Sequence, residues 1–252
     1  MNVVKIESIL GYPVRTDSVE AIADDICASI KQESDFRWLS CLNPHSYSVA
    51  RENNSFSTVL KEADWLIPDG VGIVLASRIF RGEIRGRVTG SDVFKGVHER
   101  LNTIGGSVFF LGSTEGTLGD MRERLSEDYP NVRIVGTYSP PFKQSFDKMD
   151  NDAMVAAINK VAPDVLWVGL TSPKQDLWIY SNRHRLNVKF AAGVGAVFDF
   201  YAGHIERSHP IFQRMGLEWL PRLLREPRRL WRRMFVSAPI FLWDVVKRVF
   251  LR

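Results

Sequence analysis

Short apolar runs bounded by turn residues recur along most of the chain, with amphipathic helical patterns between most of them. Their length and composition suit strands that are buried on both faces. The runs are Trp38–Leu42, Trp65–Ile67, Val108–Leu111, Val132–Val135, Val165–Val168 and Phe190–Val194. Helical patterns include Thr114–Tyr129 and Met149–Val161. Asp17 and Glu20 predict the capped start of another helix, which ends near Gln32.

The alternation of buried strand and helix predicts an α/β fold, in which a mainly parallel sheet is covered by helices on both faces. No linker rich in Pro, Gly or Ser and no repeat divides residues 1–203, so we predict one compact core there. In such sheets ligands bind beyond the carboxyl ends of the strands. The loops that follow the strands are therefore where functional residues are expected.

The pattern changes near the C-terminus, where basic and apolar residues interleave at helical spacing. Residues 204–252 hold 11 Lys/Arg and 4 Asp/Glu, a net charge of +7, so the remaining charges of the chain leave residues 1–203 at −3. Pro227 falls at a plausible first helical position, where two amphipathic pieces meet. We predict a helical appendage over residues 204–252 that rests on an anionic membrane surface. The alternative is a terminal helix that packs its apolar face on the core.

This appendage is too interrupted to cross a bilayer, since a spanning helix needs roughly 20 apolar residues. Its best apolar run, Met234 to Phe250, is broken by a proline and three charged residues. The N-terminus lacks the pattern of a secretory signal, and the two cysteines, Cys27 and Cys41, give no disulfide framework. We therefore expect a cytoplasmic protein, peripheral on the cytoplasmic face of the inner membrane.

Two strand-end loops carry polar side chains. Asn43 follows the strand at Trp38–Leu42 and precedes a proline, so it either binds a ligand or caps the next helix. Asp69 follows the strand at Trp65–Ile67 and has Gly70 beside it. It either presents a carboxylate to a ligand or makes a turn.

Three further strand ends carry glycine or polar residues. Gly112 and Ser113 lead from a strand into a helix start, where free N–H groups favour a phosphate, although many α/β proteins use glycine there only to turn. The segment 168–176 opens into a polar turn that presents Gln175. Gly195 lets the backbone approach a ligand closely, and Asp199 is able to accept a hydrogen bond from a base or sugar.

Other kinds of chemistry lack their signatures. The chain has neither GxGxxG nor GxxxxGK[ST], and no GxSxG elbow. Its five histidines form no HExxH motif and lie near no cysteine pair, so we expect no zinc site. Asp150-Asn151-Asp152 has the form of a metal-binding Asp-x-Asp, but its position at a helix start favours capping.

Taken together, these blocks resemble glycosyltransferase family 26, the WecG/TagA/CpsF type of bacterial envelope-polysaccharide synthesis. The resemblance covers roughly residues 3–245 and is carried, in order, by NPHS (43–46), IPDGVGIVLASR (67–78), RVTGSDVF (87–94), FFLGS (109–113), YPNVRIVGTYSPPF (129–142), GLTSPKQDLW (169–178), GVGAVFDFYAGHIERS (193–208) and GLEWLPRLLREPRRLWRR (216–233). It implies a Rossmann-like core with a basic appendage and an inverting transferase. By the same resemblance, we expect a sugar to be moved from a UDP-sugar onto a polyprenyl-diphosphate-linked saccharide, and we expect no metal.

The resemblance also implies residue roles. Asp69 matches the proposed catalytic base, Asn43 a neighbouring active-site asparagine, and Arg87 and Gln175 further active-site positions. Appendage arginines that match those closing over the donor diphosphate are Arg222, Arg229 and Arg232. Cys41 stands where relatives often carry threonine, and Thr171, Ser172 and Asp176 alter the commoner Gly-Ala-Pro-Lys-Gln-Glu run. These departures leave open whether the sugar is N-acetylmannosamine, its uronic acid or glucose.

Two other classes of function remain as alternatives. One is an NAD-binding oxidoreductase on the same core, which the missing GxGxxG disfavours. The other is a non-enzymatic adaptor that binds nucleic acid or membrane through the basic tail. The net charge of −3 on residues 1–203 makes nucleic acid an unfavourable partner. A homo-oligomer that buries the apolar tail is also compatible with the sequence.

Overall fold

The computed structural model describes residues 4–32, 35–204 and 227–251, with side chains of the last segment described from Leu230 onward. Arg222 lies outside the described residues, as does the side chain of Arg229. The strands are β1 Ile6–Ile9, β2 Tyr12–Arg15, β3 Arg37–Leu42, β4 Trp65–Pro68, β5 Gly106–Gly112, β6 Val132–Tyr138, β7 Val165–Gly169 and β8 Phe190–Gly193. The helices up to residue 204 are α1 Val19–Lys31, α2 Pro44–Glu52, α3 Asn54–Glu62, α4 Val71–Ile79, α5 Gly90–Ile104, α6 Glu115–Asp128, α7 Lys148–Asn159, α8 Lys174–Asn182 and α9 Val197–Tyr201.

The predicted α/β fold is confirmed. A six-stranded sheet has the order β4–β3–β8–β7–β5–β6. The pairs β3/β8, β7/β8, β5/β7 and β5/β6 are all parallel. Side chains on β7 and β8 are buried at nearly every position. Because successive side chains of a strand point to opposite faces, this burial shows that both faces are covered around these strands.

All six predicted strands are present, and the sequence missed an antiparallel hairpin of β1 and β2. Leu10 and Gly11 at its tip both have positive φ, +50° and +89°. That combination gives the turn type that matches the twist of a two-residue hairpin. The predicted cap of α1 was wrong by one residue. Ser18 accepts from the backbone N–H of Ala21, whereas Asp17 pairs with Arg15.

The described residues fall into two compact units. The first unit contains residues 4–17 and 41–89 together with the C-terminal helices, and the second contains residues 18–40 and 90–204. The predicted boundary between residues 203 and 204 stays a prediction.

The second unit has an aromatic core. His98 is fully buried, and its ring stacks on Trp167 and Phe110 at centroid distances of 5.5 and 6.3 Å. Its Nδ1 donates to the carbonyl of Phe94 over 2.7 Å. Burial lowers the pKa of His98 to about 4, so the ring is neutral in the folded protein.

The C-terminal helices belong to the first unit. Helix α10 spans Pro227–Arg232, beginning at the predicted proline, and helix α11 spans Ala238–Phe250. A π-helical turn, Arg233–Ser237, joins them. Pro239 explains this turn, because a proline has no N–H and its ring collides with the carbonyl four residues earlier in a regular α-helix.

Candidate active site

Asn43 directly follows β3 and caps α2. Its Oδ1 accepts the backbone N–H groups of His45 and Ser46, over 3.0 and 2.9 Å. Since both of these partners are donors, the amide Nδ2 is turned the other way, and it donates to Oδ2 of Asp69 over 3.2 Å. The structure therefore confirms that Asn43 is a helix cap, and the same side chain aims its amide at the carboxylate of Asp69. Its contact with a ligand stays a prediction.

Asp69 is held by the backbone on both sides. Its N–H donates to the carbonyl of Leu42 over 2.8 Å, which joins the end of β4 to the end of β3. Gly70 follows with a φ of +106°, a conformation that glycine alone adopts without strain, and this lets the chain turn at once into α4. The half-buried carboxylate thus lies at a fixed strand end, where the parallel fold places its ligands.

Arg87 is brought beside this strand end. The backbone N–H of its neighbour Val88 donates to the carbonyl of Pro68 over 2.9 Å, and Pro68 directly precedes Asp69. The side chain of Arg87 is half-buried. Three of the four predicted catalytic residues, Asn43, Asp69 and Arg87, therefore lie within the first unit on adjoining segments.

The C-terminal helices dock on α2, the helix that Asn43 caps. Phe241 is fully buried and packs edge-on against Tyr47 at a centroid distance of 5.3 Å. The hydroxyl of Tyr47 donates to Asp244 over 2.9 Å, and Arg51 approaches the same carboxylate at 3.5 Å. Burial and this hydrogen bond raise the pKa of Tyr47 above its usual range. The sequence missed this contact, because Tyr47 and Asp244 lie almost 200 residues apart.

His45 links the appendage to the same site. Its Nδ1 lies 2.9 Å from the hydroxyl of Ser237. Burial lowers the pKa of His45 to about 4, and the positive charges of Arg233 and Arg232 act in the same direction. Arg232, one of the predicted donor-binding arginines, is exposed. Its positive charge contributes to the lowered pKa of His45, which lies two residues after Asn43.

Helix α11 has an inner and an outer apolar face. Phe241 and Val245 are buried, as the alternative of a packed terminal helix predicts. The outer face nevertheless exposes large apolar side chains: Leu242, Trp243, Val246, Val249 and Phe250, with Trp243 68% and Phe250 84% exposed. Within the described residues, no helix has the length and apolar character needed to span a membrane.

The second unit holds five further predicted residues: Gly112, Ser113, Gln175, Gly195 and Asp199. Gln175 is buried at the start of α8, and its Oε1 accepts the backbone N–H of Gly195 over 3.0 Å. Gly112 approaches the carbonyl of Gly169 so closely that a Cβ would lie 2.6 Å from it. The structure thus brings Gln175 and Gly195 together, and only glycine fits the end of β5 at Gly112.

The contacts of Ser113 and Asp199 say less about the roles predicted for them. The carbonyl of Ser113 accepts the hydroxyl of Ser139 over 2.8 Å, which ties the loop after β5 to the loop after β6. Asp199 lies half-buried in α9.

Of the cysteines, Cys41 is half-buried at the end of β3, in the first unit. Burial raises the pKa of Cys27 to about 11.

Metal and cavity features do not define another site. In the parts of the chain that the structure describes, no three His, Cys, Asp or Glu side chains cluster as metal ligands do. Asp150 instead forms a capping box with Asp147, as its position at a helix start predicts. An open cavity of about 340 Å³ is lined by Phe36, Pro163 and Lys189, among others, at the amino ends of the strands. It contains none of the predicted residues and lies at the wrong end of the strands for this fold.

Comparison with known proteins identifies the family. The sequence profile of the WecG/TagA/CpsF glycosyl transferase family matches residues 7–252, and the chain belongs to this family. It is therefore a glycosyltransferase, which overturns both alternatives, the oxidoreductase and the non-enzymatic adaptor.

Individual relatives share one description: N-acetylglucosaminyldiphosphoundecaprenol N-acetyl-beta-D-mannosaminyltransferase. The protein from Bacillus spizizenii strain W23 is 32% identical over 81% of this chain and 77% of its own length. The protein from Bacillus subtilis strain 168 is 30% identical over 83% and 78%. The protein from Staphylococcus aureus strain MW2 is 25% identical over 81% and 78%.

Proposed function

We propose that this protein transfers a sugar from a UDP-sugar to a polyprenyl-diphosphate-linked saccharide, with inversion at the anomeric carbon. The observation that carries the proposal is the pair of Asn43 and Asp69 at adjoining strand ends. The names of the relatives support it, because each contains a diphosphoundecaprenol-linked acceptor and a mannosaminyl group. N-acetylmannosamine is accordingly the first donor sugar to test.

Asp69 acts as the general base. Displacement of UDP with inversion needs one carboxylate that takes the proton of the acceptor hydroxyl as the new glycosidic bond forms, and proton transfer of this kind contributes about 10²–10⁴-fold. The hydrogen bond from Asn43 fixes the plane of the carboxylate, while the backbone bond to Leu42 fixes its position. Arg87, on the adjoining segment, is placed to act on the same substrates.

The leaving diphosphate needs positive charge, which guanidinium groups supply by bidentate hydrogen bonding. Arg232 of the docked appendage is exposed near His45. With Arg222 and Arg229 it forms the proposed arginine set for the donor diphosphate. We propose that this set replaces a metal ion, so the reaction is expected to continue in the presence of a chelator.

The lipid carrier of the acceptor explains the outer face of α11. Its exposed tryptophan, phenylalanine and valines are flanked by Lys247 and Arg248, the combination that an anionic bilayer surface attracts. Helix α4 contacts α11 and exposes its own apolar stripe of Val71, Leu75 and Ile79. We propose that these faces rest on the membrane, with Asp69 two residues before the start of α4.

The anomeric configuration of the product tests the inverting mechanism. Purified protein would be incubated with UDP-N-acetylmannosamine and a short-chain acceptor, and the new linkage assigned by nuclear magnetic resonance. We expect one new linkage whose configuration is opposite to that of the donor, with one UDP released for each sugar transferred. Retention of configuration would contradict a single displacement assisted by Asp69.

A further inference from the structure

Asp176 is a buried carboxylate that joins three segments of the second unit. It is the third residue of α8 and only 3% exposed. Its Oδ1 accepts the hydroxyl of Ser40 on β3 over 2.9 Å, and its Oδ2 accepts the hydroxyl of Ser172 over 3.0 Å. Ser40 is itself fully buried. The carboxylate therefore ties the first turn of α8 to a central strand and to the turn after β7.

Within the described residues, the partners of this carboxylate are hydroxyl groups, and no cationic side chain pairs with it. Burial raises the pKa of Asp176 to about 6, against the opposing effects of the two serine hydroxyls and its own backbone N–H. No charged side chain of the described residues contributes to this balance. Keeping a carboxylate charged there at neutral pH costs folding free energy. The negative charge of this residue is therefore not itself a source of stability at neutral pH.

Gln175, the residue before Asp176, connects this carboxylate to the loop after β8. Gln175 is 5% exposed, and its Oε1 accepts the N–H of Gly195 in the loop after β8. A Cβ on Gly193 would lie only 2.8 Å from the Gln175 amide nitrogen, so this amide sits against the glycine loop without spare room. Because Gln175 and Asp176 are consecutive in one helical turn, anchoring Asp176 also sets the backbone of Gln175.

We propose that Asp176 is a positioning residue for donor binding, which acts through Gln175 and the loop at Gly193 and Gly195. Ser40 holds Asp176, Asp176 holds the first turn of α8, and that turn places the Gln175 amide. The inference rests on the proposed function, in which the UDP-sugar binds at the carboxyl ends of the strands. It adds Ser40 and Asp176 to the residues on which donor affinity depends, although neither is exposed to the donor.

The test uses two near-isosteric changes, Asp176→Asn and Ser40→Ala, in the full-length protein. Asparagine has one acceptor oxygen where the carboxylate has two, so both serine bonds lose their charge assistance and one hydroxyl must turn round to accept from the new NH2 group. Alanine at position 40 removes the Ser40 hydroxyl altogether. We expect each variant to raise the KM for the UDP-sugar and the Kd for UDP about tenfold, the effect of losing one charge-assisted hydrogen bond. We also expect the KM for a short-chain acceptor to be unchanged and the Tm of Asp176→Asn to equal or exceed that of wild type at pH 8.

Asp164→Asn is the matched control. Asp164 also accepts from a serine, Ser107, but it lies before β7, at the amino ends of the strands, and is paired with Lys189. We expect its replacement to lower the Tm and leave the donor KM unchanged. An unchanged donor KM in Asp176→Asn and Ser40→Ala, or a loss of activity that only follows the Tm, would overturn the positioning role. Failure of the wild-type protein to bind UDP or transfer any sugar would instead contradict the proposed function.

Discussion

The amide nitrogen of Asn43 donates to the carboxylate of Asp69 over 3.2 Å, although the two residues belong to different strand ends. The same amide caps α2 through its oxygen, so one side chain sets both the start of a helix and the orientation of a carboxylate. A change at Asn43 consequently disturbs the site and the helix on which the appendage docks.

Replacing Asp69 by asparagine is expected to preserve the fold and remove the base. Turnover should fall about 10²–10⁴-fold, because the acceptor hydroxyl must then lose its proton to water. The donor Kd should change little, since the reaction assigns Asp69 to the acceptor. Turnover would be measured as UDP release and folding by circular dichroism; a near-normal rate would remove Asp69 from this role.

The docking of the appendage depends on Phe241. Truncating a fully buried phenylalanine to alanine costs about 3–5 kcal/mol, so Phe241→Ala should release α11 from α2 and α4. We expect limited proteolysis to cut the chain before α11 and transfer to fall by at least about tenfold. Leu251→Ala, a change at an exposed apolar position, is the control. Protease resistance equal to that of wild type would show that Phe241 does not hold the appendage.

The outer face of α11 is expected to bind anionic lipid. Trp243→Glu places a negative charge at its centre and should weaken binding to phosphatidylglycerol vesicles by at least about tenfold. Ile104→Glu changes an exposed apolar residue on α5 in the second unit and should leave binding unaltered. Transfer to a water-soluble acceptor should continue in both variants. Equal vesicle co-sedimentation of Trp243→Glu and wild type would refute the membrane contact.

Because His98 is buried in its neutral form, we expect acid to lower the stability of the second unit. Its pKa of about 4 in the folded protein lies below that of an unfolded histidine, about 6.5, so the unfolded state binds a proton first as the pH falls. Stability should therefore decrease between pH 6.5 and 4, by up to about 3 kcal/mol. Denaturant unfolding of wild type and His98→Asn over this range measures the effect.

The contribution of His98 is obtained by comparing the free energies of unfolding of wild type and His98→Asn at each pH. His98→Asn should be less stable at neutral pH because it loses aromatic packing. The difference in free energy of unfolding between wild type and this variant should become smaller as the pH falls. Asp176 acts in the opposite direction: its raised pKa makes the folded state bind the proton first, which adds stability on acidification. A constant gap between wild type and His98→Asn across the range would contradict the assignment to His98.

The strands were predictable because their side chains are apolar on both faces, which leaves a run of consecutive hydrophobic residues in the sequence. The hairpin of β1 and β2 escaped prediction because Glu7 and Ser8 interrupt β1, while β2 has only four residues and contains Pro13. The cap of α1 was misplaced because Asp17 and Ser18 are both good capping residues, and only the pairing of Asp17 with Arg15 decides between them.

The site was partly predictable. Asn43 and Asp69 could be placed at strand ends, but their hydrogen bond needs the register of two strands that the sequence does not specify. From the sequence, Asp176 could be recognised only as a departure from the common Gly-Ala-Pro-Lys-Gln-Glu run. Its hydrogen bond to Ser40 could not be predicted, because the two residues lie 136 positions apart. Roles for Arg222 and Arg229 came from the family resemblance, and these side chains lie outside the described residues.

Sugar transfer itself is the most direct test of the proposed function. The full-length protein would be incubated with a short-chain polyprenyl-diphosphate acceptor carrying N-acetylglucosamine or glucose, a panel of UDP-sugars and EDTA, and the products weighed by mass spectrometry. The proposed function predicts a gain of one sugar from one donor in the presence of the chelator, and loss of that gain in Asp69→Asn. No gain with any pair, even after magnesium or manganese is restored, would contradict it.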